Sequence, residues 1–264
     1  ANDIAGVEKT LALGDGVAAV ILEPTGAHMG VEPVHPSFLE QLREVTSRYG
    51  VVLIFDEVVT GFRTSPGGAQ ARYDITPDLT TLAKILGGGL PGGAVAGKME
   101  LLDLIQHRGD AAWDTRDRVR HPGTFNANPV SAAAGVKALE LVATTNVNAR
   151  ADAMANRLKD GFNRVLRQME IPGCASGVAS IVAVTLGIPH ECSGEICSLR
   201  PDQIAESMPP QRGSALKRSM LNAGIDTMGG SRFLLSATHD RDEIDQTVNA
   251  FEEALTAMRG ETLI

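Results

Sequence analysis

Between residues 17 and 57 the chain passes from an apolar stretch, VAAVIL, through a loop of glycines and prolines, EPTGAHMGVEPVHP, into a helical pattern, SFLEQLREVTSRYG, and on to a second apolar stretch, VVLIFDE. Two apolar strands joined through one helix read as a βαβ unit, and continuous apolar runs imply parallel strands covered on both faces. In the helix, Ser37 and Glu40 match a capping box, Phe38, Leu42, Val45 and Tyr49 fall on one face, and Gly50 suits the stop. Ligands of such sheets bind outside the carboxyl ends of the strands, where Asp56 and Glu57 stand. Position alone leaves two readings open: a pair of carboxylates facing a ligand, or the first residues of a solvated loop.

Further on, LTTLA reads as a short strand ending at Lys84, and the glycine-rich ILGGGLPGGAVAG follows it. HPGTFNANPV is a turn-rich loop opening a helix of small residues near Pro129. The texture then changes to a long helix, ARADAMANRLKDGFNRVLRQME, a strand, ASIVAVTLG, a polar loop through PPQRG, a helix, SALKRSMLNAG, a strand, RFLLSA, and a closing helix. In that last helix Asp240 and Glu243 fit a capping pattern, with Ile244, Val248, Phe251, Leu255 and Met258 on the apolar face. Residues 1–146 therefore read as part of a large α/β domain and 147–264 as a smaller α+β domain.

Bulk properties narrow the function. A formal net charge of −8 disfavours nucleic acid or an anionic membrane as partner. The start, ANDIAGVEKT, lacks the pattern of a signal peptide, and no apolar run approaches the roughly 20 residues that span a bilayer, so a cytoplasmic protein is expected. The three cysteines, Cys174, Cys192 and Cys197, form no dense disulfide pattern, which suits a reducing compartment. HECSGEIC offers His190, Cys192 and Cys197 as loose metal ligands, but it lacks the tight paired spacing of zinc sites, and no metal is expected.

Three chemistries could use a carboxylate after an apolar strand and a lysine beside glycines. Nucleotide hydrolysis needs a phosphate cradle, GxxxxGK[ST], ahead of the Asp-Glu strand; here Lys84 precedes its glycines and the glycines follow that strand. Dinucleotide binding matches Gly87, Gly89 and Gly92 as GxGxxG, yet Pro91 interrupts where a helix should open. Pyridoxal phosphate chemistry asks for a lysine to hold the cofactor as a Schiff base and a carboxylate to pair with its ring nitrogen, and Lys84 and Asp56 would end successive strand segments of one sheet.

AAVILEP, LIFDEVVTGFR, GGAQARYDITPDLTTLAKILGGGLPGGAVAG and HPGTFNANPVSAAAG resemble, in order and spacing, the class III aminotransferases of fold type I, and within them the glutamate-1-semialdehyde aminomutase-like branch. The resemblance is dense to about residue 140 and looser over LNAGIDTMGG and FLLSATHDRDEIDQTVNAFEEAL. It implies the PLP-dependent transferase fold type I: a mostly parallel sheet with helices on both faces, plus a C-terminal α+β small domain. It implies pyridoxal 5'-phosphate as cofactor, with Lys84 as catalytic lysine, Asp56 on the pyridine nitrogen and Val58 against the ring. Thr124 would reach the cofactor phosphate of the other subunit of a homodimer. An amino donor and a carbonyl acceptor, both small molecules, would be the substrates. Glu23, Glu57 and Phe62 match family positions too, where orienting loops explains them as well as chemistry does.

Where many members carry EPIQGE and a Gln after DEV, this chain has His28 and Val59, so an ordinary glutamate-coupled exchange loses ground to the aminomutase-like branch. Arg63 and Arg232 are candidates for a substrate carboxylate, against the commoner role of structural ion pairs. Members of the family begin well before residue 1 of this chain, in a part that carries the phosphate cup and the aromatic residue stacked on the cofactor. The competing expectation is a truncated, non-catalytic homologue acting as a scaffold or interaction protein. A crevice left open by the missing part would expose apolar surface and favour self-association.

Overall fold

The computed structural model describes residues 2–14 and 16–264. The first part of the chain forms α1 (Ile4–Ala12), β1 (Ala19–Leu22), a one-turn α2 (Ala27–Gly30), β2 (Glu32–Pro33), α3 (Pro36–Tyr49), β3 (Val52–Glu57), α4 (Gly68–Tyr73), β4 (Leu79–Ala83), β5 (Gly93–Gly97), α5 (Met99–Leu102) and α6 (Pro129–Thr144). Its sheet has the order β1-β3-β4-β5, with the first three strands parallel and β5 antiparallel to β4. Side chains of β3 alternate: Leu53, Phe55 and Glu57 are buried, while Val52, Ile54 and Asp56 are half-buried. On the buried face Leu53 and Phe55 meet Val34, Phe38, Leu39, Leu42 and Ile75. Each such apolar side chain contributes roughly 1.5–3 kcal/mol. The face that carries Asp56 is the more open, with Ile21 59% and Val95 39% exposed.

Helix α3 begins differently from its sequence pattern. His35, not Ser37, is the N-cap: its Nδ1 accepts the Ser37 N–H, and Pro36 takes the first helical position. Proline suits that position because its missing N–H is one the helix leaves unpaired anyway. Gly50, at φ +67°, ends the helix as expected.

Asp78 fixes the start of β4 against β3. Its buried carboxylate accepts the Leu53 N–H at 2.7 Å and pairs with Lys98 at 2.7 Å and Arg43 at 3.0 Å. Burial pushes the carboxyl up, but the Leu53 amide, Lys98 and Arg43 together outweigh it and hold Asp78 below its ordinary value of 3.8. A carboxyl depressed in the folded state adds stability above its unfolded pKa and loses it as pH falls through the folded one. Urea midpoints are therefore expected to fall below about pH 4. Asp78→Asn should start from a lower midpoint and flatten that part of the pH profile; an unchanged profile would exclude Asp78 as its source.

The second part comprises α7 (Val147–Gln168), β6 (Gly173–Ser176), β7 (Ile181–Leu186), α8 (Pro201–Ser207), α9 (Pro210–Asn222), β8 (Arg232–Leu234) and α10 (Arg241–Gly260). β6, β7 and β8 form a separate antiparallel sheet. α7 and α10 pack together beside it around Phe162, whose ring lies 4.1 Å from that of Phe251 and 5.0 Å from that of Phe233. The capping box of Asp240 and Glu243 forms, and all five apolar residues named for α10 are buried. Cys174 and Cys192 are joined in a disulfide, and Cys197 is buried and free. That bond removes the ground on which a reducing compartment was expected. Among the described residues no helix is long and apolar enough to cross a membrane.

Candidate active site

Asp56 and Lys84 come together at the carboxyl edge of the parallel strands. Asp56 pairs in register with Thr81, and Lys84 follows directly after Ala83, the last residue of β4. Lys84 therefore lies three residues past the register partner of Asp56, roughly 10 Å along the strand direction at about 3.3 Å per residue. One oxygen of Asp56, Oδ1, accepts the Val58 N–H at 3.0 Å and the Thr81 hydroxyl at 3.2 Å. Among the described residues its other oxygen has no partner. The rotamer is thus fixed from one side while an acceptor stays free on the other, as a carboxylate waiting for a cationic ligand requires. Val58 is half-buried beside it.

Lys84 has φ +51°, in the left-handed region, and opens a tight turn that runs to Gly87. A non-glycine residue there costs roughly 1–2 kcal/mol. Its side chain is exposed and, among the described residues, makes no hydrogen bond or ion pair. Strain held at a residue whose polar end has no structural partner points to function.

What holds the turn is backbone against backbone. A Cβ on Gly135 of α6 would come within 2.4 Å of the Leu86 carbonyl, and one on Gly88 within 2.4 Å of the Ala134 carbonyl. Neither neighbour is a side chain that can swing away. Gly135→Ala is expected to cost about 1–3 kcal/mol by overpacking and to displace the turn that carries Lys84. A denaturation midpoint equal to that of the parent would contradict this.

Thr124 lies elsewhere. It is exposed in the turn before α6 and lines an open cleft of about 750 Å³ with Leu86, Gly87, Pro91 and Asn126. Asp56, Val58 and Lys84 do not line that cleft, although it adjoins the turn that follows Lys84.

The neighbouring candidates sort by their partners. Glu57 is fully buried and accepts the N–H groups of Ala69 and Gln70, the Thr60 hydroxyl and the Gln70 side-chain amide. Glu23 accepts the N–H groups of His28 and Met29, both at positive φ. Both glutamates therefore shape loops. Arg63 donates to Ser180 Oγ and to the Leu235 carbonyl, and Asn148 donates to the carbonyls of Phe62 and Arg63, so this turn is bound to the second part of the chain. Burial pushes the Arg63 guanidinium below its usual value, and Asp152 partly restores it. Arg232 lines a cleft of about 660 Å³ with Lys217, Thr227 and His239, to which nothing before residue 158 contributes. Arg63 thus has structural partners in the second part of the chain, and Arg232 lines a cleft apart from Asp56 and Lys84. Sequence reasoning missed Thr81, Gly88 and Gly135. Thr81 was within reach, since period-two alternation puts it on one face with Asp56 once the register is known.

A family model described as "Aminotransferase class-III" matches residues 3–207. A glutamate-1-semialdehyde 2,1-aminomutase of Pelotomaculum thermopropionicum is 37% identical over 260 residues, covering 97% of this chain and 56% of the relative. A second, from Brevibacillus brevis, is 36% identical over 258 residues, covering 96% and 56%. Among solved structures, an omega-transaminase from Sphaerobacter thermophilus superposes with a TM-score of 0.83 at 33% identity, over 98% of this chain and 56% of that one. A transaminase solved with PLP bound gives 0.80 at 25% identity, over 98% and 57%. The chain thus spans a little over half the length of the relatives it matches.

Proposed function

The chain belongs to the class III aminotransferase family, with its fold type I α/β architecture, and on that premise we propose that it carries the lysine and carboxylate of a pyridoxal 5'-phosphate enzyme. The observation that carries this reading is that two polar groups without a partner among the described residues, one oxygen of Asp56 and the amine of Lys84, lie at the carboxyl edge of one sheet. These fit the cofactor: a carboxylate for its ring nitrogen, an amine for its carbonyl carbon, and Val58 for its ring.

Bound there, pyridoxal phosphate supplies a sink for the electrons left on a substrate carbon when that carbon loses its proton. The rest falls to the chain. Asp56, held by Thr81 and the Val58 amide, would turn its free oxygen to the ring nitrogen and pair with it. Lys84 Nζ would hold the cofactor and, when free, would move a proton at the substrate carbon. The left-handed turn places that amine beyond the end of β4.

We take the substrates to be a small amino acid or aminoaldehyde as amino donor and a small carbonyl compound as acceptor. His28 and Val59 favour movement of the amine within one molecule, as in an aminomutase. We also take the enzyme to be a homodimer in which Thr124 serves the cofactor of the other subunit; a cytoplasmic location would require the Cys174–Cys192 bond to be reduced there. The apolar, exposed Phe125, Val130 and Val136 beside Thr124 support that placement. Residues 1–146 then belong to the large cofactor domain and 147–264 to the small one, a division supported by their two separate sheets.

The test is to incubate the chain with pyridoxal phosphate, reduce with borohydride and map the added mass by peptide mass spectrometry. A phosphopyridoxyl group on Lys84 alone is the expected result. Labelling scattered over exposed lysines, or none, would overturn the assignment for this chain.

A further inference from the structure

All three cysteines of the chain gather at one place in the C-terminal part, away from Asp56 and Lys84. Cys174 lies in β6, and His190, Cys192 and Cys197 lie in the loop after β7. The two sulfurs of the Cys174–Cys192 disulfide and a ring nitrogen of His190 all lie within 4.8 Å of one another. Cys174 is buried, and the other two are half-buried. We propose that, when the disulfide is reduced, Cys174, Cys192 and His190 bind one zinc-class divalent ion.

The imidazole is already arranged for it. His190 Nδ1 lies 2.8 Å from the Ile188 carbonyl, which can only accept, so the proton sits on Nδ1 and the lone pair on Nε2. That lone pair now receives the Thr185 hydroxyl at 3.0 Å. The same hydroxyl has a second acceptor, the Cys174 carbonyl at 3.3 Å, so Nε2 can be released without stranding a donor. A ring N–H held by a backbone carbonyl is the usual support of a metal-binding histidine. With metal–sulfur and metal–nitrogen bonds of about 2.3 and 2.0–2.1 Å, tetrahedral ligands stand under about 4 Å apart, so small shifts suffice once the sulfurs part. Two thiolates and an imidazole favour zinc over hard cations such as magnesium.

The chemistry balances. A dithiol reductant supplies two electrons and two protons, the S–S bond becomes two thiols, and the reductant becomes a disulfide. On metal binding both thiol protons pass to solvent. The ion then replaces the disulfide as the tie between β6 and a loop whose Glu195 pairs with Arg72 of α4. Cys197, next to the same Thr185 hydroxyl, is assigned no bond to the ion.

The test uses the chain reduced anaerobically, freed of reductant and titrated with Co²⁺. One Co²⁺ per chain is expected, with thiolate charge-transfer and tetrahedral ligand-field bands that Zn²⁺ abolishes. Cys174→Ser and Cys192→Ser should lose the bands, His190→Gln should weaken binding at least about tenfold, and Cys197→Ser should retain it, with circular dichroism confirming the fold of each. The oxidised parent should bind none, a control that needs no variant. Absence of the bands in the reduced parent, equal bands in the oxidised one, or loss in Cys197→Ser with retention in Cys174→Ser would each overturn the proposal.

Discussion

Replacing Lys84 with alanine is expected to lower turnover by the protein containing this chain by at least about 10²–10⁴-fold, the usual share of a positioned acid–base group. Borohydride-stable labelling at that position should vanish as well. Stability should hardly change, because the Lys84 side chain is exposed and unpartnered among the described residues, and such surface substitutions usually stay within about 0.5 kcal/mol. Lys84→Gly sharpens the point. At φ +51° glycine escapes the left-handed penalty, so this variant should be more stable than the parent by roughly 1 kcal/mol, net of glycine's larger entropy in the unfolded chain. A lysine whose removal stabilises the fold and abolishes turnover is there for chemistry. Equal activity in Lys84→Ala and the parent would end the assignment, and a large loss of stability would return Lys84 to the architecture.

The largest effect on stability is expected one residue past Asp56. Glu57→Leu leaves three donors inside the protein without an acceptor, the amides of Ala69 and Gln70 and the Thr60 hydroxyl, while the Gln70 side chain keeps only Thr80 Oγ1. Each stranded buried donor costs roughly 1–3 kcal/mol, and relaxation of the loop offsets part of the sum, so a net loss of about 3–5 kcal/mol is expected. Glu57→Gln should lose less, since its carbonyl can still accept while its NH₂ meets donors on the other side. Chemical denaturation of the three proteins gives the order directly. Glu57→Leu should also weaken labelling at Lys84, because the strand that carries Asp56 loses its anchor to α4. A Glu57→Leu variant as stable as the parent would contradict the hydrogen-bond account.

The parallel strands, α6 and the closing helix were legible because their signals are local. Asp240 and Glu243 cap α10 as their spacing implies, and the apolar face of α10 needs no knowledge of the rest of the chain. Helix α3 shows where local reading fails: Pro36 moved the cap two residues earlier, from Ser37 to His35, a residue outside the usual capping set. Arg63 shows a second limit. Its partners, Ser180 and Leu235, are far away in sequence, so a long-range hydrogen bond could not be told from a ligand contact. The disulfide was hidden for the same reason, since it joins two elements that only folding brings together. That Asp56 and Lys84 share one edge of the sheet was legible because strand ends gather there in a parallel sheet, a rule that holds before any register is known. Thr81 and the glycine contact of α6 depend on that register and on packing, and so stayed out of view.

The contact between α6 and the turn after Lys84 has a mechanical side. Side-chain packing can absorb a small displacement by changing rotamer, but at Gly88 and Gly135 carbonyl meets α-carbon, and neither has a torsion to spare. α6 leads through only two residues into α7, so it acts as a stiff rod with the C-terminal part at one end and the Lys84 turn against its flank. A displacement of that part that carried α6 with it would be felt at the lysine as a push with almost no slack.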